Sequence, residues 1–254
     1  MNNFFDRQYK EVFIELVHAH LARAEEMNWP CDSWCAFWPA MGRQYRPGGV
    51  MVVGRALNGW ENTEVIRGDA DDGFEALIER CMRSFVGTTE YCPLAWVEKR
   101  WGKGRKGEYR TSRSAFWRMA RRLVKHYGHS DEGWSGHLCW NNLMRVSPAC
   151  GGNPPKWSYD AQLPYAARLL AAEVVALKPS ALVVFAGHDW FAPFAEALES
   201  QVKLLPTPDL RYVTGHGRFA DSNLVVAPHP MKKKEDVLIG EIATYLAARP
   251  DSAR

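Results

Sequence analysis

The chain has 254 residues, 46% of them hydrophobic, and a net charge of +3. That supplies one sizeable α/β core, so a single domain is expected over 1–254, with an enlarged insertion at about 61–137. No apolar run approaches the roughly 18 residues of a membrane span. The first residues, Met1 to Asp6, lack a basic stretch followed by an apolar one, so no signal peptide is read there and a cytoplasmic monomer is the expectation.

In chain order, residues 7–27 predict an amphipathic helix with Val12, Phe13, Leu16, Val17 and Leu21 on one face. Residues 30–49 read as irregular and aromatic. Residues 50–53 form a short apolar strand broken by Gly54. A helix is expected near 72–83. Another is expected over 114–127, ending at Gly128 and capped by Ser112 or Ser114. A second strand covers 138–143, and a long helix covers 158–178, stopped by Pro179. A third strand covers 181–186, ending at Gly187, with a short helix near 190–199. Strands at 211–214 and around Leu224 and a helix over 235–248 complete the chain.

Continuous apolar strands separated by helices predict a three-layer α/β/α sandwich with a central, mainly parallel sheet of four to five strands. In such sheets the ligand site lies beyond the C-terminal strand ends. The polar punctuation falls there, at 54–60, at 142–155, at Gly187-His188-Asp189 and at His229. His188 is accordingly a candidate for lining the site.

Charge and cysteines narrow the chemistry. Residues 99–125 carry eleven Lys or Arg and one acid, Glu108, interleaved with Trp101, Tyr109, Phe116 and Trp117. That composition suits a nucleic-acid surface, with Lys103, Arg105, Lys106, Arg110 and Arg113 as contacts. Residues 61–79 carry seven acids and one base, Arg67. The six cysteines are scattered, and Cys31 and Cys35 are the only close pair, so no four-ligand metal site is expected. No cofactor is called for.

The strand at Leu224 runs into Pro228-His229-Pro230, then Met231 and Lys232-Lys233-Lys234. Two prolines stiffen the backbone around the imidazole. A flexible apolar side chain and three cations follow. This order suits a loop that enters DNA, with Met231 as a wedge, the lysines on phosphates and His229 fixed beside the target.

From about residue 50 onward the chain resembles the uracil-DNA glycosylase superfamily. Val52-Val53-Gly54-Arg55-Ala56-Leu57-Asn58-Gly59-Trp60 looks like that family's first motif, a strand entering a loop under the target base. Phe116-Trp117-Arg118 resembles the helix start of its mismatch-specific branch. Asn142 to Pro148, then Asn153-Pro154-Pro155, resembles the strand that ends in a base-reading Asn before a proline-rich loop. Lys178-Pro179 and the strand after it fit the family's pattern, and His229-Pro230 matches its His-Pro motif.

The resemblance implies a monofunctional DNA glycosylase, acting on single- or double-stranded DNA, that extrudes a base and leaves an abasic site. His229 would donate a hydrogen bond to the departing base. Asn142 carries a donor and an acceptor on one amide and would pair with a pyrimidine edge. Gly54, Arg55, Ala56 and Trp60 would line the base site. Ser147 and Asn153 would touch phosphate beside Pro230, Met231 and the three lysines.

Two departures bear on substrate. The Asp or Asn that often stands two residues past the motif's glycine is Ala56 here, so Asn58 is the expected residue for orienting water, with Glu61 as second choice. No cysteine follows Cys150, which argues against the family's iron–sulfur branch. Ala56 leaves more room under the base, so a hydroxymethylated or glucosylated cytosine of phage DNA, and a role in phage defence, is the favoured expectation. Uracil excision in repair is the alternative, and a catalytically silent nucleic-acid-binding protein is the rival class.

Overall fold

The computed structural model describes residues 7–30, 33–57, 65–67, 76, 79, 91–102, 109–207 and 209–246. The expected helix near 72–83 lies almost wholly outside them.

Helix α1 (Arg7–Glu26) buries Tyr9, Val12, Phe13, Leu16, Val17, His20 and Ala24, the stripe that helical periodicity predicts. It packs on α4 (Lys156–Leu177). Helix α4 ends where Lys178 turns left-handed at φ 46° and donates its N–H back to the Val174 carbonyl, with Pro179 next.

Four buried strands form the parallel heart of the main sheet. They are β3 (Val50–Gly54), β5 (Leu138–Asn142), β7 (Ala181–Val184) and β10 (Ser222–Val226), in spatial order β5-β3-β7-β10. Three antiparallel strands extend this heart to seven. They are β2 (Ala40–Met41) beside β5, then β9 (Gly215–Phe219) and β8 (Val202–Pro206) beyond β10. The expected count of four to five is therefore too low. A continuous apolar run marks a strand buried on both faces, whereas Gly-His-Gly-Arg-Phe in β9 carries no such signal.

A second, three-stranded antiparallel sheet joins β4 (Val65–Arg67), β1 (Ser33–Ala36) and β6 (Val146–Pro148). Strands β1 and β2 fall inside 30–49, which is thus not irregular throughout. The strand expected at 211–214 is a loop. The backbone N–H groups of Arg211, Tyr212 and Val213 donate to the Glu241 carboxylate at 3.0, 2.9 and 2.9 Å instead of to a sheet neighbour. A side chain 28 residues away satisfies the donors that a strand would have paired, so local propensity loses.

The remaining helices are α2 (Ala95–Lys99), α3 (Ala115–His126), α5 (His188–Ala197) and α6 (Glu235–Leu246). Helix α4 touches α1 and α5, while α3 touches α6. Against the main sheet, α3 touches β3, α5 touches β8 and α6 touches β10. Ser114 stands at the N-cap of α3 but makes no side-chain capping bond, and neither does Ser112, whose hydroxyl accepts from Gly102 N–H at 3.1 Å. Among the described residues no helix is long and apolar enough to cross a membrane.

The chain leaves β3 toward β5 on one side and returns to β7 on the other. The reversal falls between the C-terminal ends of β3 and β7, the switch point at whose crevice ligands bind in open α/β sheets.

Candidate active site

Gly54 and Asn142 are paired in register at the ends of β3 and β5. A Cβ on Gly54 would lie 2.4 Å from the Asn142 side-chain oxygen and 3.6 Å from the Phe116 ring. Glycine is required here because the Asn142 amide lies against its backbone. Asn142 is buried, and among the described residues its side-chain NH2 has no hydrogen-bond partner. Leaving such a donor unpaired costs about 1–3 kcal/mol, so a ligand that accepts from it would recover that cost.

Asn141 resolves which of the two adjacent asparagines faces the crevice, since neighbours on a strand point to opposite faces. Its amide belongs to a fully buried polar network behind the sheet. Asn141 donates to Glu173 at 2.6 Å, and Arg145 donates to Glu173 at 2.7 Å and to the Asn141 oxygen. The Tyr9 hydroxyl also donates to Glu173. The Asn141 oxygen in turn accepts the Asn142 backbone N–H at 2.8 Å, and Gln162 accepts the N–H groups of Arg145 and Val146 at 3.0 and 2.8 Å. The network thus fixes the backbone that presents Asn142. Burial, then the Glu173 charge, push the Tyr9 hydroxyl pKa well up, which keeps it a donor.

His229 follows β10 between two prolines. Its ring stacks on Phe116 with centroids 6.3 Å apart and planes at 17°. Its Nδ1 accepts the Met231 backbone N–H at 3.2 Å, so the neutral ring carries its proton on Nε2. Burial, then the Arg55 charge, lower the His229 pKa below its ordinary value. The outcome is a neutral imidazole with one donor to offer.

Arg55, the first residue past β3, reaches across the crevice. Its Nε donates to the Ala186 carbonyl at 2.9 Å, and its guanidinium lies 5.1 Å over the Trp190 ring. Burial lowers its pKa, and Asp189 opposes that shift.

Beyond His229 the Pro230 carbonyl accepts the Lys233 N–H at 3.1 Å, closing a tight turn with Lys232 at φ 61°. Lys234 N–H donates to the Tyr212 hydroxyl at 3.1 Å, and Lys233 lies over the Tyr212 ring. Met231, at the turn's corner, is 61% exposed. Lys232 and Lys234 are exposed, whereas Pro230 is buried and shapes the turn instead of offering a DNA contact.

The other expected residues divide. Ala56 is half-buried and packs on the core. His188 is exposed at the first position of α5. Ser147 is buried in β6 with its hydroxyl unpartnered among the described residues, so it does not reach a surface phosphate. Asn153 is exposed beside a shallow cleft of about 470 Å³, floored by Trp29, Pro30 and Pro148, that shares no lining residue with the His229 group. Asn58, Trp60, Glu61, Lys103, Arg105 and Lys106 lie outside the described residues. Arg113 is exposed and Arg110 half-buried, just ahead of the helix that carries Phe116.

Four cations of the basic block are spent within the fold. Arg118 pairs with Glu235, Arg122 with Asp236, and Arg121 and Lys125 with Asp131. The block as a whole is therefore not a free polyanion surface. The sequence reading also missed the network of Tyr9, Arg145 and Glu173. Its one signal is a charge inside an apolar run, such as Glu173 between Ala172 and Val174. Phe116, which the sequence places in the helix-start motif and among the aromatics of the basic block, is buried and stacks on His229. Among the described residues no group of three or more His, Cys, Asp or Glu is placed to hold a metal ion. No protein-family model matches the chain, and no curated protein matches it.

Proposed function

We propose that the chain is a monofunctional DNA glycosylase of the uracil-DNA glycosylase type. The observation that carries this reading is a neutral His229 whose Nε2 donor, like the Asn142 NH2, has no hydrogen-bond partner among the described residues, the two side chains being set against the same Phe116–Gly54 wall. Both lie at the crevice of a doubly wound sheet.

An extruded pyrimidine offers the carbonyl acceptors that these two donors lack. Hydrolysis breaks the bond between C1′ and the base nitrogen, and the electron pair leaves with the base. Water adds to C1′ and releases a proton. Charge develops on the base oxygen that His229 would contact, and a preorganised donor stabilises it most in the transition state. Met231 would fill the vacated stack, and Lys232 to Lys234 would hold flanking phosphates. Asn58 would orient the water.

The substrate we favour is a modified cytosine, hydroxymethylated or glucosylated, of phage DNA, with defence as the role. The small Ala56 supports this, because a roomier base site without a new selector would endanger ordinary pyrimidines. An oligonucleotide panel tests the reading. It holds uracil, thymine opposite guanine, hydroxymethylcytosine and glucosylated phage DNA, each treated with protein and then hot alkali, with His229→Ala alongside. Alkali-dependent breaks that the variant abolishes are expected, foremost on the modified cytosines. Breaks foremost at uracil would make it a repair enzyme. No break in any lane, with tight salt-sensitive binding, would leave a silent DNA-binding protein.

A further inference from the structure

We propose that Arg55 is the anion-receiving group of this site, a fixed cation that holds the excised base as its anion; this rests on the glycosylase reading. Arg55 stands at the switch point itself, between the ends of β3 and β7. Two ties immobilise it, the Ala186 carbonyl at 2.9 Å and the Trp190 ring at 5.1 Å. Trp190 is itself held, since Tyr159 packs edge-on against it and donates to its carbonyl at 2.9 Å. The far end of the guanidinium lies toward the Pro228–His229 turn. A Cβ built on Gly187 would be 3.9 Å from both Arg55 Nη2 and Pro228 Cα.

The cation is positioned but not neutralised. Among the described residues no carboxylate lies within ion-pair distance of it, whereas Arg118, on the helix that carries Phe116, is paired with Glu235. Asp189 acts on Arg55 only from a distance. A half-buried charge without a counter-ion costs stability, and such charges persist where a ligand completes them. The other charged groups around His229 do not compete for that ligand. Arg118 is paired with Glu235, Lys233 lies over Tyr212, and His188 and Asp189 are exposed at the start of α5.

The donor set sorts its ligand by charge. His229 and Asn142 are uncharged donors, so a neutral base and its anion can both accept from them, the anion more strongly. Arg55 adds the full positive charge that sets the two forms furthest apart. When the glycosidic bond breaks, the base leaves with both bonding electrons, and Arg55 faces that charge without donating a proton.

The test uses the full chain with free 5-nitrouracil, whose absorbance differs between its neutral and anionic forms. The wild type is expected to bind the anion preferentially and to lower the probe's apparent pKa by about one unit. Arg55→Gln is expected to bind the anion about tenfold more weakly and to restore the free probe's pKa. Arg55→Lys keeps the charge and is expected to retain the anion preference, which covers the case in which the glutamine variant fails to fold. Equal anion preference in wild type and Arg55→Gln overturns the proposal, as does a wild type that prefers the neutral probe or binds neither form. The two readings fail separately. Anion binding without any cut oligonucleotide removes the glycosylase and leaves the anion site, while excision with an indifferent Arg55 does the reverse.

Discussion

The amide oxygen of Asn142 occupies the space that a side chain on Gly54 would need, 2.4 Å from the nearest Cβ position. No Cβ tolerates such an approach, and the short Asn142 side chain has no flexible end to move aside. Gly54→Ala is therefore expected to displace the amide and lower kcat/KM at least tenfold, roughly the value of one good polar contact. The strand itself accepts alanine, so the unfolding midpoint should move by only a few degrees. Single-turnover excision beside a thermal melt checks this. Unchanged excision would show that Asn142 does not read the base.

His229 sets a pH dependence whose sign follows from its surroundings. Burial and the Arg55 charge lower its pKa, so the neutral donor survives below the ordinary histidine value. Excision is expected to stay level from pH 8 down past 6.5 and to fall only in more acid solution, as the ring takes a proton. In Arg55→Gln the fall should begin at higher pH. Single-turnover rates from pH 4.5 to 8 in both proteins measure it. An acid limb at or above 6.5 in the wild type would mean that the imidazole is not held neutral.

The parallel strands and the long helices were legible because burial on both faces writes continuous apolar runs, and amphipathic packing writes a 3.6-residue period. His229 and the Pro-His-Pro turn were legible because proline fixes backbone locally. The outer antiparallel strands were not, since β9 is defined by its pairing with β10 and β8, and β8 by its pairing with β9, and not by their own composition. The loop at 211–214 was misread because Glu241 satisfies its backbone from α6, a contact that no local pattern encodes. The split of the basic block into paired and unpaired cations escaped for the same reason. Arg118 and Glu235 are 117 residues apart and meet only once α3 packs on α6.

The buried network behind Asn142 carries a stability prediction. Glu173 accepts from Tyr9, Asn141 and Arg145, all of them donors, and both members of the Arg145–Glu173 pair are fully buried. Glu173→Gln removes the charge and turns a donor toward three donors. The expected cost is about 3–5 kcal/mol, since it leaves a buried guanidinium uncompensated. Urea unfolding measures it, and a cost below about 1 kcal/mol would mean that water reaches Arg145 on substitution.

Met231 can be changed without touching the core, because its side chain is largely exposed and the turn is held by backbone. Met231→Ala should leave stability within about 0.5 kcal/mol. The wedge role predicts a clear loss of base extrusion, read by the fluorescence of 2-aminopurine placed beside the target. Lys234→Ala should instead weaken affinity for every sequence and flatten the salt dependence by about one phosphate contact. If Met231→Ala extrudes the base as the parent does, the side chain is not a wedge.

His20 predicts how the fold answers acid, independently of any activity. Its ring is fully buried among Trp34 and Trp157, and Nδ1 lies 3.1 Å from the Ser158 hydroxyl. Burial lowers its pKa from 6.5 to about 4. The unfolded chain therefore binds this proton more readily than the folded one, and stability rises with pH through that interval. The contribution is complete above pH 6.5 and is lost as pH falls from 6.5 to about 4, where it amounts to something on the order of 3 kcal/mol. Urea midpoints for the wild type should drop across that window. His20→Gln, which cannot take up a proton, should start from lower stability and show a shallower slope over the same window. Parallel slopes in the two proteins would assign the acid sensitivity to groups other than His20.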